Sequence, residues 1–440
     1  MKTAQRNLQL AALLAAVLLA SAPRARAQAL PAAEATPIST GFTLPHAAGS
    51  LTYAVSASES IATNNYGNSG TSAYTNLSGD LAFITNSQRD PFSLVFSGGR
   101  SWTTSSQSSY SFLNLAMSQV LNLRRWNFVL SDSVSYLPGT AAAGLSGVAG
   151  VGDLGAGSIN TGVDTGQGVL TGYSTRVSNS SSLSIQRQIT GKTSIYAAGS
   201  YSITHFLSDS ASSGDNPGLD SEGETASLGL SHRIDERNSI GAGYAYSRSD
   251  YIGNNYGISE PGFSSQTVTG QYSHQFSRKL GFSASAGPEW TRPDTSGSAT
   301  STSLFVDLSA TYASQFARST LSYTRSTNSG FGVVGGSLSD SINFSTSRTF
   351  NRVWLCSANA AYTRTQNLPS FDSAPFTIYT ELAGGQVSRA LGRSFSTYLS
   401  YTIENQSNQG TAPAIDLFNG LTQVVAFGLT YSPSAFHLGH

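Results

Sequence analysis

The sequence predicts an all-β chain folded as a transmembrane antiparallel up-and-down β-barrel of about eighteen strands, and three observations predict it. Apolar and small polar residues alternate with a period of two over most of the chain. One hairpin recurs at intervals of roughly 33 to 45 residues. The connections between the alternating runs are short and long in turn; sixteen to eighteen strands fit this pattern.

The first residues read as a secretory signal, 1–27. Lys2 and Arg6 supply a basic start, residues 8–20 form an apolar run too short to span a bilayer as a helix, and Ala25-Arg26-Ala27 offers small residues at a cleavage site. Residues 28–50 are rich in Ala, Pro and Thr without periodicity and read as a lead-in. Loss of the signal removes Lys2, Arg6, Arg24 and Arg26, leaving 20 basic residues against 24 acidic ones. A mildly acidic chain argues against nucleic acid as a partner. Charged residues make up only 11%, well below the quarter or so usual in soluble domains. The single cysteine, Cys356, shares an apolar strand face with Trp354, Ala358 and Ala360 and reads as a small hydrophobe.

The clearest repeat lies at 238–250. Ile240, Ala242, Tyr244 and Tyr246 form one face; Gly241, Gly243, Ala245 and Ser247 form the other. A polar turn, Asp235-Glu236-Arg237, joins it to an alternating run with Leu228 and Leu230 on one face, which makes a hairpin. Aromatic, Ser or Thr, then Arg or Ile marks its copies: Tyr201-Ser202-Ile203, Tyr246-Ser247-Arg248, Trp290-Thr291-Arg292, Tyr323-Thr324-Arg325, Tyr362-Thr363-Arg364 and Tyr401-Thr402-Ile403.

Taken in order, strands are predicted near 51–61, 72–85, 92–102, 109–121, 125–137, 171–189, 193–207, 223–234, 239–251, 264–276, 279–291, 301–314, 319–328, 338–349, 353–366, 376–389, 393–405 and 420–431. Short turns fall at 87–90, 122–124, 190–192, 235–237, 277–279, 315–318, 350–352 and 390–393, with longer connections between them. A barrel of 51–432, followed by a tail at 433–440, satisfies every backbone group in hydrocarbon, which an open sheet edge cannot. Parity places Leu280, Phe282, Ala284 and Ala286, and likewise Val268, Tyr272 and Phe276, on the outside. Their complements, Gly281, Ser283, Ser285 and Gly287 with Thr269, Gln271, Ser273 and Gln275, line the inside. An apolar exterior around a polar interior inverts the soluble pattern.

The signal, the paired strands and turns such as Asp235-Glu236-Arg237-Asn238 and Ser277-Arg278-Lys279 resemble a Gram-negative bacterial outer-membrane β-barrel, porin-like, across 51–432. The Tyr-Ser-Arg type of strand also resembles the barrels associated with exopolysaccharide systems. The resemblance implies periplasmic turns, external loops and an outer-membrane location. Val425, Phe427, Leu429 and Tyr431 are similar to the last-strand signal read by the barrel-assembly machinery, although the chain runs on past Tyr431, with Phe436 a second candidate.

Six aromatics, Tyr201, Tyr246, Trp290, Tyr323, Tyr362 and Tyr401, are expected in an interfacial girdle. Arg248, Arg292, Arg325 and Arg364, each two residues past an aromatic, and Arg100 beside Trp102 are expected on the same outer face. There they either contact lipopolysaccharide phosphates or snorkel to water. Asp80, Asp307 and Glu381 are expected to point inward in mid-strand and Arg176 inward near the mouth, making a weakly selective lumen that leans to cations or neutral solutes. The long third loop, 138–168, either folds into the lumen as in porins or lies outside. His205 followed by Asp209 is the one weak catalytic candidate, and no metal, cofactor or nucleotide motif is present. Three readings stand: a passive pore for small hydrophilic solutes or saccharides; a non-conducting barrel that is structural or binds a partner at its surface; and a secreted soluble β-repeat protein, which must explain the outward aromatics.

Overall fold

The computed structural model describes residues 47–63, 70–85, 87, 89–103, 109–137, 176–207, 220–252, 262–295, 299–329, 336–351, 353–368, 376–410 and 419–439. The signal segment, most of the lead-in and the loop at 138–168 lie outside these residues. The strands are β1 (Ala47–Thr63), β2 (Thr71–Thr85), β3 (Phe92–Thr103), β4 (Tyr110–Leu123), β5 (Trp126–Leu137), β6 (Arg176–Gln188), β7 (Thr193–Phe206), β8 (Asp220–Arg233) and β9 (Asn238–Ile252). They continue as β10 (Phe263–Gln275), β11 (Leu280–Pro293), β12 (Ser301–Ala313), β13 (Ala317–Asn328), β14 (Ser337–Phe350), β15 (Trp354–Asn367), β16 (Phe376–Ala390), β17 (Phe395–Gly410), β18 (Gly420–Tyr431) and a short β19 (Phe436–Gly439).

Each of the first eighteen strands pairs antiparallel with its sequence neighbour, and β1 pairs with β18, so the sheet closes. Closure pairs Val55–Thr63 of β1 with Gln423–Tyr431 of β18, so the two strands have no open edge where they meet. The register keeps the parity of the sequence intact around the wall. Outward positions carry large apolar side chains that are wide open, such as Leu228 at 57% exposure, Leu304 at 54% and Phe427 at 60%. Inward positions carry Ser, Thr, Asn and Gln, many of them buried, among them Ser78, Ser133, Thr267, Ser341 and Gln406. The apolar surface is therefore outside and the hydroxyl surface inside.

Turns at one rim are tight. In the turn between β8 and β9, Asp235 accepts hydrogen bonds from the Arg237 and Asn238 backbone amides and from the Asn238 side chain at 2.7, 2.8 and 2.7 Å. The Asn238 side chain, and after it the Arg237 amide, hold this carboxyl below its usual range.

The C-terminal residues are more than a tail. After Tyr431 the chain turns and β19 pairs with the first residues of β1, Phe436 opposite Leu51 and Gly439 opposite Ala47. The reason lies in β1, which begins at Ala47 rather than Leu51 and overhangs the end of β18. Without β19 its first backbone groups would be an open edge. Tyr53 stacks on Phe436 with ring centroids 6.0 Å apart and meets Tyr431 edge-on at 6.3 Å, fixing the closure.

Candidate pore and outer wall

The inner wall is built around glycines. Tyr196 projects inward from β7 and lies flat across Gly229 of β8, where any β-carbon would overlap its ring. It passes Gly243 of β9, and its hydroxyl accepts a hydrogen bond from Gln271 Nε2 of β10 at 2.8 Å. One tyrosine therefore spans three neighbouring strands without entering the lumen. The same device recurs at Tyr398, which covers Gly428. Tyr196, Gln271, Thr269, Ser283, Phe305 and Asp307 line a recess of about 490 Å³ on this wall.

Acidic side chains punctuate the interior. Asp307 lies midway along β12, lines that recess and makes no hydrogen bond or ion pair among the described residues. Asp80 lies midway along β2 on the face of Ser78 and Asn76, buried to 5% exposure. Arg176, the first residue of β6, pairs across the sheet with the buried inward Phe206 at the long-loop rim. Two inward carboxylates were missed in the sequence. Glu289 is buried and takes hydrogen bonds from Ser303 and Thr327 at 2.9 Å each; Glu404 is buried opposite Thr422. Both were readable, since Glu289 shares the parity of Ser283, Ser285 and Gly287.

Glu381 does not point inward as expected. It stands opposite Tyr362 on one side and Asn405 on the other, all on the outer face, and Asn405 Nδ2 reaches its carboxylate at 3.5 Å. In the long-loop half of β16 the apolar residues Phe376 and Ile378 turn inward and are buried. Above the apolar band nothing forces apolar side chains outward, so parity read from hydrophobicity slips there.

Pairing across strands brings the repeat motifs into register on the outer wall. Tyr246 and Trp290 flank Gln266, and Arg248 and Arg292 flank Ser264. Tyr323 and Tyr362 flank Ile342, and Arg325 and Arg364 flank Asp340. Tyr201, opposite Glu224, and Tyr401, opposite Val425, also face out, at 38% and 44% exposure. Arg248 holds Asp250 at 2.8 Å and Asp294 at 3.3 Å, and Arg325 holds Asp340 at 3.1 Å. Arg100 lies over the Trp102 ring, 5.9 Å from its centroid. Among the described residues Arg100, Arg292 and Arg364 have no carboxylate in ion-pair reach.

His205 is also on the outer wall, with Nδ1 2.5 Å from Asp220 Oδ2. Asp209, the carboxylate expected beside it, lies outside the described residues. Cys356 sits opposite Arg348 and Val387 on the outer face as a free thiol. Among the described residues no cluster of His, Cys, Asp and Glu could hold a metal ion.

No family model and no curated protein matches the chain. Among solved structures, OccK2 (OpdF) of Pseudomonas aeruginosa aligns at a TM-score of 0.43 and 10% identity over 88% of this chain and 98% of its own. Its complex with glucuronate aligns at 0.43 and 11% identity over 87% and 98%. The siderophore receptor PiuA of Acinetobacter baumannii aligns at 0.38 and 10% over 86% and 82%. By its own geometry the chain is a closed antiparallel barrel of eighteen strands, polar within and apolar in a band around its outside.

Proposed function

We propose that this protein is an outer-membrane pore through which small hydrophilic solutes or saccharides pass passively, its tight turns facing the periplasm and its long loops facing out. The supporting observation is the inverted wall: apolar side chains exposed on the outside of a closed barrel, hydroxyls and amides inside. Eighteen strands enclose an interior wide enough for water. Mechanism is then exchange of hydrogen bonds between solute and wall, with no covalent step. The flat Tyr196 ring offers an apolar face to a sugar, and Gln271 and the neighbouring hydroxyls meet its OH groups. Asp307, which lines the recess, biases passage toward cations and neutral solutes, with Asp80 and Glu289 on the same inner face.

The proposal extends to the surroundings. Of the five candidate arginines, Arg100, Arg292 and Arg364 are without a carboxylate partner among the described residues and can meet lipopolysaccharide phosphates, whereas Arg248 and Arg325 already hold carboxylates. An exopolysaccharide-associated role would place a saccharide in the lumen. Residues 1–27 would deliver the chain to the periplasm, and Val425, Phe427, Leu429 and Tyr431, which face out from β18, would present the strand to the barrel-assembly machinery.

A second reading, a non-conducting barrel that binds a partner through its loops, draws on Phe263 and Leu368, which pack together with Tyr251 and Leu338 at the long-loop rim. Purified protein in a planar bilayer decides between them. Stepwise openings whose current falls as sugars of increasing size are added support the pore; a folded barrel that stays silent supports the second reading.

A further inference from the structure

The turn rim carries a charge pattern that the acidic lumen does not prepare for. Arg124 and Arg125 from the β4–β5 turn, Lys192 from the β6–β7 turn and Arg233 from the end of β8 line one recess of about 430 Å³. The recess lies on the lumen side, because the other residues lining it include Asn127, Gln186, Ser194 and Ser231, all inward by the register of their strands. We propose that this recess is an anion-binding site at the turn-side mouth of the barrel, taking solutes that carry two or more carboxylate or phosphate groups.

Four features carry this. Three successive turns converge their cations on one hollow, so the charge is focused rather than spread along the rim. Arg233 Nη2 donates to Gly191 O at 2.9 Å and Lys192 Nζ donates to Ile234 O at 3.2 Å. These crossed bonds tie the two turns together and hold both side chains over the recess, which lowers the entropy lost when an anion arrives. A guanidinium has five N–H donors and an ammonium three, so most remain for a ligand. Neutral donors also line the hollow, Asn127 Nδ2 (itself bonded to Asn122 Oδ1) and the Gln186 and Gln188 amides.

No carboxylate competes. Among the described residues none of the four cations has an acidic partner in ion-pair reach. The three acidic residues of the turn rim, Asp90, Asp235 and Glu236, are not among the lining residues. Asp235 is occupied by its own turn, and Asp90 faces Arg89 at 3.9 Å.

The recess joins the pore wall. Ser231 and Ser239 line both it and the larger recess that reaches Asp307. The inner wall therefore runs from cations at the turn mouth, over serine and glycine, to a carboxylate midway. An anion is captured at the mouth and is opposed by Asp307 further in, so the site retains anionic solutes on the turn side. That the captured solute stands in a path of flow rests on the pore reading; the site itself rests only on the barrel.

Equilibrium dialysis on purified, folded protein in a zwitterionic detergent tests the site, with citrate and pyrophosphate as separate probes. Saturable binding of either probe, weakened at least tenfold in the combined Arg124→Gln, Arg125→Gln, Lys192→Gln and Arg233→Gln variant, is the expected result. A control pair, Arg348→Gln and Arg389→Gln, removes cations that lie over Phe350 and Trp354 on the outer wall, away from the recess, and leaves binding unchanged. If the fourfold variant does not fold, Arg124→Gln with Arg125→Gln alone is expected to weaken binding about threefold. Absence of saturable binding by the wild type, or equal loss in the control pair, overturns the proposal. A silent bilayer with binding intact would remove the pore reading and leave the site standing; a conducting barrel that binds neither probe would do the reverse.

Discussion

Tyr196 shows how a single side chain shapes the inner wall of a barrel. A tyrosine standing upright would narrow the lumen; laid over Gly229 and Gly243 and tied to Gln271, it becomes part of the wall surface. The Gly241-Ala242-Gly243 sequence of β9 thus has a physical purpose that alternation alone did not reveal. Sequence parity placed Asp80 and Asp307 on the inner face but misplaced Glu381, and the difference is local. Asp307 alternates with the outward apolar residues Val306 and Leu308, whereas Glu381 sits where Phe376 and Ile378 turn inward instead. On the pore reading, Asp307, which lines the recess and has no hydrogen-bond or ion-pair partner among the described residues, is the carboxylate that governs selectivity most directly. Asp307→Asn is expected to lower the cation-to-anion permeability ratio by about two- to threefold, read from reversal potentials in a salt gradient. An unchanged ratio would remove Asp307 from the selectivity account.

At the scale of elements, the repeat is a hairpin whose aromatic and arginine land beside those of a neighbouring copy. The spacing of the motifs was legible in the sequence; that Arg325 and Arg364 would flank Asp340 was not, because it depends on register across β14. The strand order was likewise legible from the short and long connections. The pairing of β19 with β1 was not, since residues after Tyr431 carry no alternation and their role follows from the overhang of β1. The tyrosine-over-glycine device makes a firm prediction at this scale. Gly428→Val, like Gly229→Val, drives a β-branched side chain into the covering ring and is expected to destabilise the barrel by about 1–3 kcal/mol. Urea unfolding in lipid would show the loss, and stability equal to wild type would mean the tyrosine can stand upright without penalty.

Over the whole molecule, charge and hydropathy are arranged by level. An apolar band surrounds the outside, mixed charges occupy the outer wall toward the long loops, and cations collect on the tight turns. These levels are what a barrel embedded in a bilayer requires, and they arise from one alternating pattern repeated around a closed sheet. The central claim is therefore that one face of every strand meets lipid and the other meets water inside the barrel. A cysteine scan of 239–247 in a Cys356→Ala background, in proteoliposomes with a water-soluble thiol reagent, tests it most directly. Labelling is expected at 239, 245 and 247, with 241 and 243 crowded by Leu230 and Tyr196, and absent at 240, 242 and 244; protection of 239, 245 and 247, or labelling of the even positions instead, would contradict a water-filled barrel in a membrane.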